Sequence, residues 1–173
     1  MSITPVNDAI YTRLGNFIQA VLGAIPVVRG LDNRVPMPVE PFACMTPAGT
    51  SRVWMSASGD TYDRAGGTRK FEQHSNYRIQ LDFYGPNSHD WATQVHTLAT
   101  TEYGVGLLAP EVSPLLCEDI QQLPLVNGEE QFEQRWMFAI QLQFNPVIAV
   151  PQQFAEALEI TVIEVDTTYP PGA

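Results

Sequence analysis

Apolar residues recur at Val6, Ile10, Leu14, Phe17, Ile18, Val21 and Leu22, the spacing of one helix face. Thr4 is placed to cap that helix, Pro5 suits its first position, and Asp8 lies near the positive end of its dipole. Gly23 and Pro26 end it. The following stretch, PVVRGLDNRVPMPVEP (26–41), contains four prolines. It reads as extended and irregular, because proline removes a backbone donor and fixes φ. FACMTP (42–47) then reads as a short strand.

Residues 51–85 read as a long β-hairpin with its tip near Ala65-Gly66-Gly67. On the returning arm Tyr77, Ile79, Leu81 and Phe83 face one way and Arg78, Gln80, Asp82 and Tyr84 the other. Nearer the tip, TRKFEQHSN is polar on both faces, so this part of the arm is expected to project beyond the domain. A second helix follows in GPNSHDWATQVHTLATTEY. Asn87 can cap it, and Trp91, Val95, Leu98 and Ala99 form its buried stripe.

The remainder is strand-rich. LLCEDIQQL reads as a strand and VNGEEQ as a turn. FEQRWMFAIQLQF (132–144) is the strongest strand signal in the chain. Phe132, Trp136, Phe138, Ile140, Leu142 and Phe144 fall on one face, with Gln134 as the exception; Glu133, Arg135, Gln141 and Gln143 fall on the other. LEITVIEVD (158–166) predicts a last strand, before a loose tail at 167–173. The order fits an α+β single domain over residues 1–166: a mostly antiparallel or mixed sheet, two helices packed on one face, and a long projecting β-hairpin.

Composition narrows the function more than it refines the fold. Charged residues make up only 16% of the 173, which leaves much surface for contact with other proteins. The net charge of -10 argues against a nucleic-acid binder, which needs excess Lys and Arg to neutralise phosphates. No apolar run approaches a membrane span, and MSITPVNDA lacks the basic and apolar regions of a secretory leader. Cys44 and Cys117 form neither a disulfide framework nor a CxxC pair, and are expected to be buried thiols in a reducing compartment.

The charges divide unevenly. Residues 1–78 hold eight basic and six acidic side chains; residues 79–173 hold Arg135 against thirteen acids. Arg52, Arg64, Arg69, Lys70 and Arg78 gather along the predicted hairpin, while Glu129 and Glu130 form an acidic edge after the turn glycine Gly128. Unlike patches on one chain suit contacts between copies, and these seven residues are the candidate interface.

The search for chemistry finds no constellation. His89-Asp90 resembles a metal-phosphohydrolase dyad, but no further His or Asp stands at supporting spacing, and both residues are explained as helix-start residues. His74 and His96 complete no HxxxH or HExxH pattern. Glu129 and Glu130, as strand neighbours, would point to opposite faces. Gly-Val-Gly at 104–106 lacks the setting of a dinucleotide loop, and no Lys-Ser or Lys-Thr follows Gly66-Gly67. GxSxG is absent. No catalytic, metal or cofactor residues are expected.

Three stretches, QLDFYGPNSHDWATQVHTL, LPLVNGEEQFEQRWMFAIQLQFNP and VPQQFAEALEI, resemble the neck or tail terminator proteins of tailed bacteriophages, over roughly residues 27–165. The more specific parts are FYGPNS leading into a helix and GEEQFEQRW leading into a long strand. The resemblance implies a small mixed sheet with packed helices and a non-enzymatic virion protein at the top of the tail, assembled in the host bacterial cytoplasm. It implies a hexameric ring that caps the tail tube, stops its polymerisation and offers a docking surface to the head. The implied partners are other copies of the chain, the tail tube protein, the tail sheath in a contractile tail, and a head-completion or connector protein. Genomic DNA would pass the lumen without specific binding, and no membrane or cofactor is involved. Another head–tail connector or minor tail component is the nearest alternative, and a small hydrolase or ligand-binding domain a remote one.

Overall fold

A computed structural model of the chain describes residues 2–3, 6–31, 38–53, 59–123, 125–126 and 132–152. Thr4 and Pro5, the acidic pair Glu129 and Glu130, and the predicted strand at 158–166 lie outside them. The elements in chain order begin with β1 (Ser2–Ile3), α1 (Val6–Leu22), β2 (Val27–Arg29), β3 (Phe42–Arg52), β4 (Gly59–Asp63), β5 (Thr68–Glu72) and β6 (Ser75–Tyr84). They continue with α2 (Ser88–Ala99), α3 (Glu102–Leu108), β7 (Val112–Cys117), β8 (Gln121–Gln122), β9 (Leu125–Val126), β10 (Phe132–Glu133), β11 (Arg135–Phe144) and β12 (Val147–Pro151).

The main sheet runs β2-β3-β6-β11-β7, with β8 also paired to β11. All its pairings are antiparallel except β2 with β3. Helices cover one face. Ile10, Leu14, Phe17 and Ile18 of α1 and Ala92, Val95 and Ala99 of α2 bury against Met45, Ile79, Leu81, Phe83, Phe138, Ile140 and Leu142 of the strands. The alternation read from residues 77–83 and 136–144 is therefore the core face, and the α+β reading holds.

The far side of the sheet is less purely polar than alternation suggests. Phe42, Cys44 and Tyr84 form a small second cluster there with Val28 against it, Phe42 and Tyr84 stacking at 4.4 Å. Beside them Arg135 donates from Nε and Nη2 to Oδ1 of buried Asp82, at 2.9 and 2.8 Å. Desolvation pulls the Arg135 pKa down, but the hydrogen bonds and charge of Asp82, with smaller help from Tyr84 and Cys44, together hold it above its ordinary value.

Three features depart from expectation. The strand at 42–47 runs on to Arg52, because β6 pairs with it along its whole length through an irregularity between Pro47 and Gly49. LLCEDIQQL divides into the end of β7 and the short β8. A third helix, α3, joins the predicted two. Its seven residues include Gly104 and Gly106, which weaken any helical signal. Gly104 is required by contact: a Cβ there would lie 2.3 Å from the Leu98 carbonyl oxygen.

The hairpin is present, with its turn at residues 64–67 and Gly67 at φ +58°, a conformation that favours glycine. Gly66 N–H donates to Asp63 Oδ1 at 3.0 Å and closes the turn. Sequence alone missed a partner. β12 pairs with β5 along its length, giving a second sheet in the order β1-β12-β5-β4.

This second sheet continues the first. Strands β3, β6 and β11 end at one level, with Arg52 opposite Ser75 and Ser75 opposite Phe144. Beyond a short break, β4, β5 and β12 resume in the same order, with Gly59 opposite Glu72 and Glu72 opposite Val147. Two backbone bonds span the break: Val53 N–H to the His74 carbonyl and Gln73 N–H to the Pro146 carbonyl, each 3.1 Å. The arm is thus a three-stranded ribbon with β1 along one edge.

Candidate assembly surfaces

The basic residues gathered in sequence do not make one patch in space. Arg64 sits in the turn, Arg69 and Lys70 on β5, Arg52 at the end of β3 and Arg78 on β6. The first three belong to the arm sheet and the last two to the main sheet. Arg78 is also committed within the chain, with Nε and Nη2 both donating to the carboxylate of Glu118. That bidentate pair holds the Arg78 pKa above and the Glu118 pKa below their ordinary values. Arg13 pairs likewise with Glu111 at 2.8 Å and Arg29 with Asp8 at 2.8 Å. These pairs are exposed, so water and salt screen them and they contribute little to stability.

Register fixes what each arm face carries, since residues directly opposite in an antiparallel pair share a face. Tyr62 lies opposite Arg69, Arg69 opposite Val150, and Phe71 opposite Ile148. One face therefore holds Tyr62, Arg69, Phe71, Ile148 and Val150. The Arg69 guanidinium stands 4.9 Å from the Tyr62 ring and 4.8 Å from the Phe71 ring, so it is held over both. The other face holds Thr61, Lys70 and Ala149 at one level and Glu72 and Val147 at the next. TRKFEQHSN alone reads as polar on both sides; Ile148 and Val150, from almost eighty residues later, make one of those sides apolar.

Neither cysteine offers chemistry. Burial pushes the Cys117 thiol up to about 11 and raises Cys44 as well. At pH 7.4 Cys117 alkylation is expected to run on the order of a few hundredfold slower than for a free thiol of pKa about 8.5, from thiolate fraction alone. Timed labelling with a maleimide checks this, and labelling as fast as a free thiol would refute the burial. His89 lies against Trp136 with ring centroids 4.3 Å apart and its Nδ1 is 3.6 Å from Asp90 Oδ1, both at the start of α2 as read. Among the described residues no cluster of three His, Cys, Asp or Glu could hold a metal, and no helix is long and apolar enough to cross a membrane.

Residues 8–170 match the family model described as phage neck terminator protein. The chain belongs to that family. None of the curated proteins matches it. Among solved structures, this neck terminator resembles the sheath/tube terminator, in its extended state, of an extracellular contractile injection system, PVC. The TM-score is 0.52 at 12% identity, over 95% of this chain and 66% of that one. That likeness concerns the fold, and this neck terminator spans 66% of the length of that protein. The family places the chain among structural proteins of the phage tail.

Proposed function

We propose that the chain assembles into a ring, hexameric as the family resemblance implies, that caps the completed tail tube and stops its polymerisation. Its outer axial face receives the head through a head-completion or connector protein. The tail tube is the other axial partner, joined by the sheath in a contractile tail. The role is structural and not enzymatic, and the protein resides in the virion neck after assembly in the host cytoplasm. The match to the neck terminator family over residues 8–170 carries this reading. The net charge of -10 supports a lumen that lets DNA pass without holding its phosphates. Electron microscopy of particles made without the chain tests it. Tails of irregular length and unjoined heads are expected, restored by supplying the protein; normal joined particles would refute the role.

A ring needs a heterologous contact, in which one patch of each subunit meets a different patch of the next. The arm supplies two exposed basic residues, Arg64 in its turn and Lys70 on β5. Reversing both to Glu is expected to leave the fold intact, since such surface changes stay within about 0.5 kcal/mol each. Ring formation should weaken, and salt should weaken the wild-type contact in the same direction, with screening over about 8 Å at physiological ionic strength. Arg69 is left in place because its stacking on Tyr62 and Phe71 would confound the test. Circular dichroism reports the fold and sedimentation at low and high salt the assembly. Equal assembly by variant and wild type would make these charges solubility devices only.

A further inference from the structure

The main sheet leaves part of one strand without a neighbour. β2 pairs with β3 only at Ala43, Cys44 and Met45, whereas β6 follows the other side of β3 as far as Arg52. Among the described residues no strand pairs with the outer side of β3 beyond Met45. The bond from Val53 N–H to the His74 carbonyl sets the phase of the ladder. Ser51 bonds toward β6, so Thr50 and Arg52 turn their N–H and C=O groups outward. Pro47 and the irregularity before Gly49 blunt the start of this edge. From Gly49 to Arg52 it stays open, and all four residues are exposed.

A cavity of about 250 Å³ adjoins the open edge. Register puts Gly49, Arg78 and Gln141 in one row and Ser51 and Asn76 in the next, on the face away from the helices. Gly49 has no side chain to fill its place in that row, and nothing lies within 4 Å of where a Cβ would be. Arg78 is taken by Glu118, so the unanswered group at the cavity is Asn76. Its Oδ1 is buried with no hydrogen-bond partner, which calls for a donor. An open edge beside a pocket is the arrangement by which a sheet binds an extended segment: backbone bonds hold the added strand, and the pocket selects a side chain.

We infer that residues 158–166 of a neighbouring copy add as a strand to the edge of β3 at Thr50 and Arg52, with Thr161 in the cavity. LEITVIEVD is rich in the β-branched residues that suit a sheet. Thr161 is its one hydroxyl, and so its one side chain able to donate to Asn76 Oδ1 at neutral pH. Charge agrees with the pairing. Residues 153–173 carry Glu156, Glu159, Glu164 and Asp166 and no Lys or Arg. Arg52 stands exposed at the end of the edge with no ion pair among the described residues. The described chain ends at Gln152, whose N–H bonds to the Gly67 carbonyl in the turn of the arm. The segment thus starts at the end of the arm farthest from its own β3, where the arm carries it toward a neighbour. This rests on the ring reading and names a contact within it. Edge and segment are unlike surfaces present on every copy, so the contact is head-to-tail and can close into a ring.

The test uses the full chain in a Cys117→Ser background, with Ser51→Cys and Thr161→Cys made separately and mixed. A short bifunctional maleimide is expected to join the two variants in the mixture and neither variant to itself. With both cysteines in one chain, linked multimers are expected; a link closed within single chains overturns the contact, since the segment would then serve its own edge. Thr50→Pro removes an outward N–H and leaves the β3–β6 bonds whole, so the circular dichroism spectrum should not change. The concentration needed for assembly should rise by on the order of tenfold or more. Thr161→Pro should do the same from the other side of the contact, and assembly of both proline variants at the wild-type concentration overturns it. Ring-sized particles that give no mixed cross-link overturn this contact while the ring stands. Protein that stays monomeric at every concentration and salt overturns the ring and the contact together.

Discussion

Replacing Phe138 with alanine is expected to cost about 3–5 kcal/mol, the range for deleting a large aromatic from a packed core. Phe138 is 1% exposed at the middle of β11, opposite Leu81 of β6. Its ring lies 6.0 Å from that of Phe83 and meets His96 of α2 edge-on at 5.2 Å. The cavity would therefore open where strand, strand and helix meet, and none of the three can close it without leaving its own register. In a domain of this size each kcal/mol moves the melting temperature by about 2–4 °C, so a fall of about 6–20 °C is expected by calorimetry. A loss below about 1 kcal/mol would show that this face of β11 is not the core.

Arg135→Met should be as damaging although Arg135 is not in the apolar core. The Asp82 side chain is 3% exposed and that of Arg135 22%. Besides Arg135, the structure gives Asp82 the amide of Gln80, 3.0 Å from each oxygen. Removing the guanidinium leaves a buried carboxylate without its counter-charge, at a cost of about 3–5 kcal/mol. The double variant Asp82→Leu/Arg135→Met should recover most of that loss, because an apolar pair needs no compensation. Urea melts of both single variants and the double variant measure the coupling. Additive losses would mean that the two residues act independently.

These two residues also mark what could be read in advance. Phe138 stands in a row of large apolar residues at every second position from Trp136 to Phe144, a signal written within one strand, although Met137 and Ala139 beside it are apolar as well. Asp82 and Arg135 each appear in the alternation only as polar positions; their pairing depends on β6 meeting β11, 53 residues apart. The arm shows the same limit more strongly. Phe71 is a lone apolar residue in a polar stretch, and only the pairing of β5 with β12 sets Ile148 and Val150 beside it. The basic residues show the opposite limit: close in sequence, Arg69 and Lys70 point to opposite faces, and Arg78 pairs with Glu118. Gly104 shows a third kind of limit, since its reason is a close approach to the end of α2 rather than a turn.

The shared level at which β3, β6 and β11 leave the main sheet has a mechanical consequence. Among the described residues the chain crosses between core and arm at 73–74 and at 145–146, on the neighbouring strand pairs β5–β6 and β11–β12. A force on the arm along the strands therefore divides over two parallel covalent paths, both of which enter the best-buried strands of the domain, β6 and β11. Load in that direction must shear whole ladders of hydrogen bonds at once, whereas a hairpin hinged on a single loop would swing freely. The arm is a stiff cantilever, and displacement at its tip is delivered to the strand beneath α2.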